Sequence, residues 1–180
     1  MLHDKRIKMI EVILCLYTGL RIGELLALTW EDVDFKKNEI IVDKACHDSK
    51  KDGKYDRPCD QPKTESSIRI IPIPKQLIPM LRETKQKNNS KYVVGYGEKN
   101  ISIRSYQSSF ALLLNKLNIS HRGFHSLRHT FATRAIECGM DVKTLSEILE
   151  HKNPTVTLNR YVHGMMSHKH DMMNRLGKIF

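Results

Sequence analysis

Four short stretches of the chain carry side chains whose types and spacing could bind or transfer an anion. The stretch FHSLRHTFATRAIECG, residues 124–139, sets His125, Arg128, His129, Ala132 and Ile136 at i, i+3, i+4, i+7 and i+11. On a helix these share one face, cationic in its first turn and apolar afterwards. A helix start also presents free N–H groups, so an anion suits this arrangement. The plain alternative is a solvated first turn. A metal held by His125 and His129 is the weaker reading, because the acidic residue of HExxH is missing and Arg128 repels a cation.

The second stretch is TGLRIGELLALTW, residues 18–30. Arg21 follows a Gly turn and opens a helix that Leu25, Leu26 and Leu28 can anchor, so its guanidinium can reach into a cleft. Alternatively it pairs with Glu24 at i+3, a contact worth only about 0.2–0.5 kcal/mol. The third is QPKTESSIRIIPIP, where Lys63 stands in a polar turn; most such lysines are merely solvated. The fourth is EHKNPTVTLNRYVHG, residues 150–164, where His151 precedes a short helix. Asn153 is a good N-cap and Pro154 suits the first helical position, so Tyr161 lies on that helix. Leu158, Tyr161, Val162 and Met165 share a face, and a lone aromatic there is ordinarily core packing.

These residues need elements to position them. A helix over about 5–17 ends at Gly19, and a second begins with RIGELLAL. Between Glu39 and Ile73, EIIVDKA and SIRIIPIP are strand-like, and the turn-rich segments around them predict a small antiparallel sheet of two or three strands. Pro72 and Pro74 place its last strand at an edge. Helices follow over about 75–88, 103–117, 125–138, 142–149 and 154–163. Gly139 stops one of them and Asp141 caps the next. The class is α+β, mostly α, with a small sheet near the N-terminal third.

With 180 residues, 40% of them hydrophobic, the chain can close a core as a single globular unit. Its formal charge of +10 favours a polyanionic partner, nucleic acid before membrane surface. The start, LHDKRIK then MIEVILCLYTGL, superficially resembles a signal peptide, but Glu11 interrupts the apolar run, no cleavage site follows, and Ile10, Ile13, Leu14 and Tyr17 repeat at helical spacing. Cys15, Cys46, Cys59 and Cys138 form no CxxC pair, so neither a disulfide framework nor a zinc knuckle is indicated, and a reducing cytoplasm fits best.

Taken together, a Gly-flanked Arg, a turn Lys, His-x-x-Arg at a helix start, a further His, and a Tyr ten residues after it stand here in one order. The chain resembles the catalytic domain of the tyrosine recombinases, the phage-integrase family, and most of all integrases of phages and integrative transposable elements. The resemblance runs from LYTGLRIGELLAL through PKTESSIRIIPIP and FHSLRHTFAT to LSEILEHKNPTVTLNRYVH, nearly the whole chain.

The resemblance implies a tyrosine-recombinase catalytic-domain fold over 1–180. Tyr161 is then the nucleophile that attacks a DNA phosphate, forming a 3′-phosphotyrosyl link. Arg21 and Arg128 hold the non-bridging oxygens, and loss of one such stabiliser costs about 3–4 kcal/mol. His125 and His151 add hydrogen bonds to the phosphate, His125 also assisting deprotonation of Tyr161, and Lys63 is the acid for the departing 5′-oxygen. No metal, ATP or other cofactor is implied. Expected partners are double-stranded DNA at specific sites, further copies of the chain on DNA (a tetramer in the full-length family) and accessory DNA-bending proteins. No membrane contact is implied, and the location is the bacterial cytoplasm, at the nucleoid when bound.

Two departures from the family pattern stand out. Glu150 occupies the place before His151 where family members commonly have Gly, which restricts the turn, puts a carboxylate beside an anion site and leaves room for an inactive member. Family members usually carry a separate N-terminal DNA-binding domain, whereas this sequence opens almost at the first catalytic-domain helix, so a fragment or shortened member is expected. The tail, 164–180, sets Met165, Met166, Met172, Met173 and Leu176 beside His168 and His170. Docking on a neighbouring protomer and covering its own core are equal alternatives for it, with a metal-binding His tract a distant third. Two rival functions remain: a helix-turn-helix regulator built on DVKTLSEILEHKNPTVTLNRYV, which leaves Arg21, Lys63 and His125 without a role, and a type IB topoisomerase.

Overall fold

A computed structural model describes residues 9–51, 54–56, 58–60, 68–95, 101–150, 170, 173–174 and 176–178. The chain divides into two compact units, Met1–Phe131 and Ala132–Phe180.

In the first unit, α1 (Met9–Thr18) buries Ile10, Leu14 and Cys15 at helical spacing, while Tyr17, expected on the same stripe, is exposed. Gly19 ends the helix at φ 66°, its N–H donating to the Cys15 carbonyl at 2.9 Å. That left-handed conformation is where a Cβ costs most, which is why the stop is a glycine. Next comes α2 (Ile22–Ala27), with Leu25, Leu26, Ala27 and the following Leu28 buried, then a short 3₁₀ turn (Trp30–Asp32). The Asp32 carboxylate accepts from the Thr29 N–H at 2.7 Å and from Lys44 Nζ at 2.6 Å, holding this turn to the segment beyond the sheet's second strand.

Seven short strands follow among the described residues: β1 (Val33–Asp34), β2 (Glu39–Val42), β3 (Ala45–Cys46), β4 (Ser49–Lys51), β5 (Lys54–Asp56), β6 (Cys59–Asp60) and β7 (Arg69–Pro72). β1, β2 and β7 form an antiparallel three-stranded sheet in that order, with Ile40 opposite Ile71 and Ile41 opposite Ile70. Ile40, Val42 and Ile71 point to the core, and Ile41 and Ile70 point outward, the period-2 alternation of a sheet with one covered face. β7 is an edge strand, as its prolines predict. The pairs β3–β6 and β4–β5 extend from it as separate two-stranded ladders.

One expectation is overturned here. Cys46 and Cys59 are joined by a disulfide, their Cα atoms 4.0 Å apart. Their spacing is unremarkable in the chain, but the β3–β6 register sets them directly opposite each other, and cross-strand placement brings the sulfurs within bonding reach.

Two helices complete this unit, α3 (Leu77–Lys87) and α4 (Ile103–Lys116). α4 buries Tyr106, Phe110 and Leu114, one per turn. Its start is capped twice: Ser102 accepts from the Ser105 N–H, and the two Asp48 oxygens accept from the Ile103 and Arg104 N–H groups at 3.2 and 3.1 Å. Phe124 meets the Tyr106 and Phe110 rings edge-on, with centroids 5.3 and 5.1 Å away. The Tyr106 hydroxyl donates to buried Glu11 at 2.8 Å.

The helix α5 (His125–Glu137) begins in the first unit and ends in the second. In the second unit Ala132, Ala135 and Ile136 are buried, as are Leu145 and Leu149 of α6 (Val142–Leu149). Gly139 adopts φ 89° at the end of α5, and the Asp141 carboxylate caps α6 through the Thr144 N–H, both as the local pattern predicts.

Candidate active site

Arg21 is the N-cap of α2, in an extended conformation at φ −71° and ψ 153°, immediately after the Gly19–Leu20 turn. Its position is set by Glu24, one turn into the helix. One oxygen of the Glu24 carboxylate accepts from the Arg21 guanidinium at 2.7 Å, and the other from the Arg21 backbone N–H at 2.8 Å. Glu24 is buried, whereas the Arg21 side chain keeps 38% of its surface exposed. Burial by itself would push the Glu24 carboxyl up. The hydrogen bonds and charge of Arg69, then of Arg21, outweigh it and hold the group at about 2. Glu24 is therefore an ionised, fully engaged carboxylate rather than the weak surface partner that i+3 spacing suggests.

Arg128 lies three residues into α5 and is only 2% exposed. Its guanidinium donates to the Gly19 carbonyl at 2.8 Å. Gly19 is the residue whose turn delivers Arg21, so one tight turn both receives the second arginine and aims the first. His125 opens α5 on the exposed side, and its ring meets that of His129 edge-on at 4.6 Å between centroids. The helix-start amides contribute less to this face than their position suggests. The Ser126 and Leu127 N–H groups bond back to the Gly123 and Phe124 carbonyls, so the positive character comes from side chains.

The structure thus brings Arg128 to the turn that carries Arg21 and sets His125 at the start of the same helix as Arg128. Lys63, His151 and Tyr161, together with the helix over about 154–163, lie outside the described residues. Sequence reasoning missed Arg69 and the Gly19 carbonyl. Arg69 had a signal: in β7 it shares parity with inward-facing Ile71 and Ile73, a position that calls for an apolar side chain. The carbonyl had none, because any residue type supplies one.

The same unit also buries titratable groups, Cys15 and Tyr106 among them. Burial pushes the Cys15 thiol up, and the charges of Glu24 and Glu11 add to it, so the sulfur is a neutral packing group. Burial, then the Glu11 carboxylate, likewise pushes the Tyr106 phenol up, which keeps it a hydrogen-bond donor. Among the described residues no group of three His, Cys, Asp or Glu side chains gathers as a metal site, and no helix is long and apolar enough to cross a membrane.

Residues 2–168 match the sequence model described as the phage integrase family. The chain belongs to that family. As a family member it is 38% identical over 184 residues to a tyrosine recombinase XerC-like protein of Caldanaerobacter subterraneus subsp. tengcongensis, covering 91% of this chain and 47% of the relative. It is 31% identical over 185 residues to the transposase from transposon Tn916 of Enterococcus faecalis, covering 93% and 45%. The chain therefore spans about half the length of the curated relatives it matches. Its fold is similar to that of the Tn1549 transposon integrase in complex with circular intermediate DNA, with a TM-score of 0.75, 31% identity, and coverage of 93% of this chain and 59% of that one. The phage-integrase fold, mostly helical with a small antiparallel sheet, is thus the one expected from the sequence. Glu150, which stands where the family resemblance leads one to expect Gly, caps α6 in the left-handed conformation at φ 52° and ψ 46°. A residue with a Cβ bears a steric cost there of about 1–2 kcal/mol.

Proposed function

We propose that this chain is the catalytic part of a tyrosine recombinase that cuts and rejoins DNA strands through Tyr161, without metal or ATP. The observation that carries this reading is the 2.8 Å bond from Arg128 to the Gly19 carbonyl, which brings the second guanidinium to the turn that presents the first. Two arginines tied to one turn suit a phosphodiester, whose two non-bridging oxygens gain charge as the phosphorus becomes pentacoordinate. The relatives named as recombinases and transposases support the same chemistry.

In the proposed reaction the Tyr161 oxygen attacks the phosphorus, and its proton passes to His125. The bond from phosphorus to the 5′-oxygen breaks, and Lys63 protonates the departing oxygen. Arg21, Arg128, His125 and His151 hold the phosphate throughout. A second 5′-hydroxyl then attacks the phosphotyrosine, which regenerates Tyr161 and conserves the number of phosphodiester bonds. Double-stranded DNA at a specific site is the substrate, and further copies of the chain assemble on it, with accessory DNA-bending proteins as additional partners. The 164–180 tail docks on a neighbouring copy, and the cytoplasm, at the nucleoid, is the place of action. Mobile-element integration or excision is the biological setting that the transposon relatives favour.

The test is a nicked duplex whose short cleaved strand diffuses away and traps the intermediate. On a denaturing gel the wild type is expected to give a covalent protein–DNA adduct and Tyr161→Phe none. Adducts from both proteins would acquit Tyr161. Transfer of the trapped strand to a second duplex, as opposed to relaxation of supercoiled DNA alone, separates a recombinase from a type IB topoisomerase.

A further inference from the structure

Strand β7 and the residue after it alternate, with Ile71 and Ile73 turned inward, and Arg69 occupies the next inward position. Its side chain is 8% exposed. A guanidinium buried to that degree is unfavourable unless its charge is met by well-formed hydrogen bonds. Here both of its terminal nitrogens donate to Glu24, one to each carboxylate oxygen, at 3.1 and 2.7 Å. The same two oxygens accept from Arg21, one from its guanidinium and one from its backbone N–H. Each oxygen of Glu24 therefore serves both arginines. Arg69 grips the carboxylate as a two-pronged fork, and Arg21 holds it by one guanidinium bond and one backbone bond.

Glu24 with Arg21 alone makes a neutral pair, in which the carboxylate competes with any phosphate for the guanidinium. Adding Arg69 brings the three side chains to one net positive charge. Arg21 has the more exposed side chain, at 38% against 8%, so of the two arginines it is the one within a ligand's reach. Arg69 also stands six residues after Lys63, so the strand that follows the proposed acid's turn is the one tied to the first phosphate-binding arginine.

We infer that Arg69 is a positioning residue for phosphate binding: by sharing the Glu24 carboxylate it lets Glu24 orient Arg21 without neutralising it. Arg69 touches no reacting atom in this scheme, and the role inferred for it runs through Glu24. The inference rests on the recombinase reading above.

The experiment uses the whole chain and the nicked duplex already described, with the rate of adduct formation as the readout. Arg69→Met is expected to slow the reaction about 30-fold, which is ~2 kcal/mol. The deciding comparison is Arg69→Met with and without Glu24→Gln. Removing the carboxylate's charge ends its competition with phosphate for Arg21, so the double variant is expected to be at least about fivefold faster than Arg69→Met alone, ~1 kcal/mol of recovery. In a merely structural salt bridge the double variant recovers melting temperature, since no unmet buried charge is left, but the adduct rate of the folded protein does not recover with it. A double variant no faster than Arg69→Met, or an Arg69→Met as fast as the wild type, overturns the inference. Far-UV circular dichroism and melting temperature verify that each variant is folded. Should Arg69→Met unfold the chain, Arg69→Gln, with and without Glu24→Gln, supplies the same comparisons with the same two outcomes. Absence of adduct from the wild type defeats the recombinase reading and this inference with it, whereas a wild-type adduct with no rescue defeats this inference alone.

Discussion

Replacing Glu24 by Gln should remove a pH-dependent part of the stability of the first unit, and its size can be worked out from the site. The carboxyl is held at about 2 instead of its ordinary 4.5, despite burial that opposes ionisation, because Arg69 and Arg21 bond it from two sides. A difference of that size corresponds to about 3 kcal/mol when the group is fully ionised in both states. Its folded value lies below its unfolded one. The stabilisation is therefore complete above about pH 5 and is lost as the pH falls toward 2. By about pH 3 the unfolded chain has already bound most of this proton while the folded chain has not, and about 2 kcal/mol of the 3 is gone. Urea unfolding followed by the fluorescence of the single tryptophan, Trp30, measures this, since that ring is buried in the same unit. The quantity to compare is the stability difference between wild type and Glu24→Gln at about pH 7 and about pH 3, because every other carboxylate is common to both proteins and cancels. The gap is expected to narrow by about 2 kcal/mol on acidification. A gap constant to within about 0.5 kcal/mol, the usual error of such differences, would refute the claim that Glu24 is the strongly held carboxylate of the site.

Gly23→Ala should destabilise the first unit by about 1–3 kcal/mol, because a Cβ at residue 23 would meet the Cys46 carbonyl oxygen at 2.6 Å and drive α2 from β3; an unchanged urea midpoint contradicts that close approach. Glu150→Gly should protect the α6 amides from hydrogen exchange by about 1 kcal/mol, since it relieves the left-handed C-cap, and faster exchange would count against steric strain there. Lys63→Ala should slow strand cleavage about 10²- to 10⁴-fold and recover on a substrate whose 5′-bridging oxygen is replaced by sulfur, a better leaving group. Equal impairment on both substrates removes Lys63 from the acid's role.

What the amino-acid order determined by itself was every feature whose cause lies within a few residues. Gly19 and Gly139 stop helices because only a residue without Cβ takes those φ values cheaply, and Asp141 and Ser102 cap helices through amides three residues away. Pro72 confines β7 to an edge because it has no N–H for a ladder. The motif order from Arg21 to Tyr161 placed the chain in its family, and the family match over residues 2–168 agrees.

Tertiary structure alone decided which distant groups meet. Glu24 looked like the weak helical partner of Arg21 until β7 brought in Arg69 from 45 residues away and made it the shared anchor of two arginines. Arg128 reaches the Gly19 carbonyl across 109 residues, and Cys46 meets Cys59 only because β3 and β6 pair in one register. Local signals act through backbone conformation and hydrogen bonds a turn away, so they can be seen along the chain. Pairings between distant residues depend on how whole elements close on each other, and the free energy that selects one closure is spread over the buried core rather than written at the residues that finally touch.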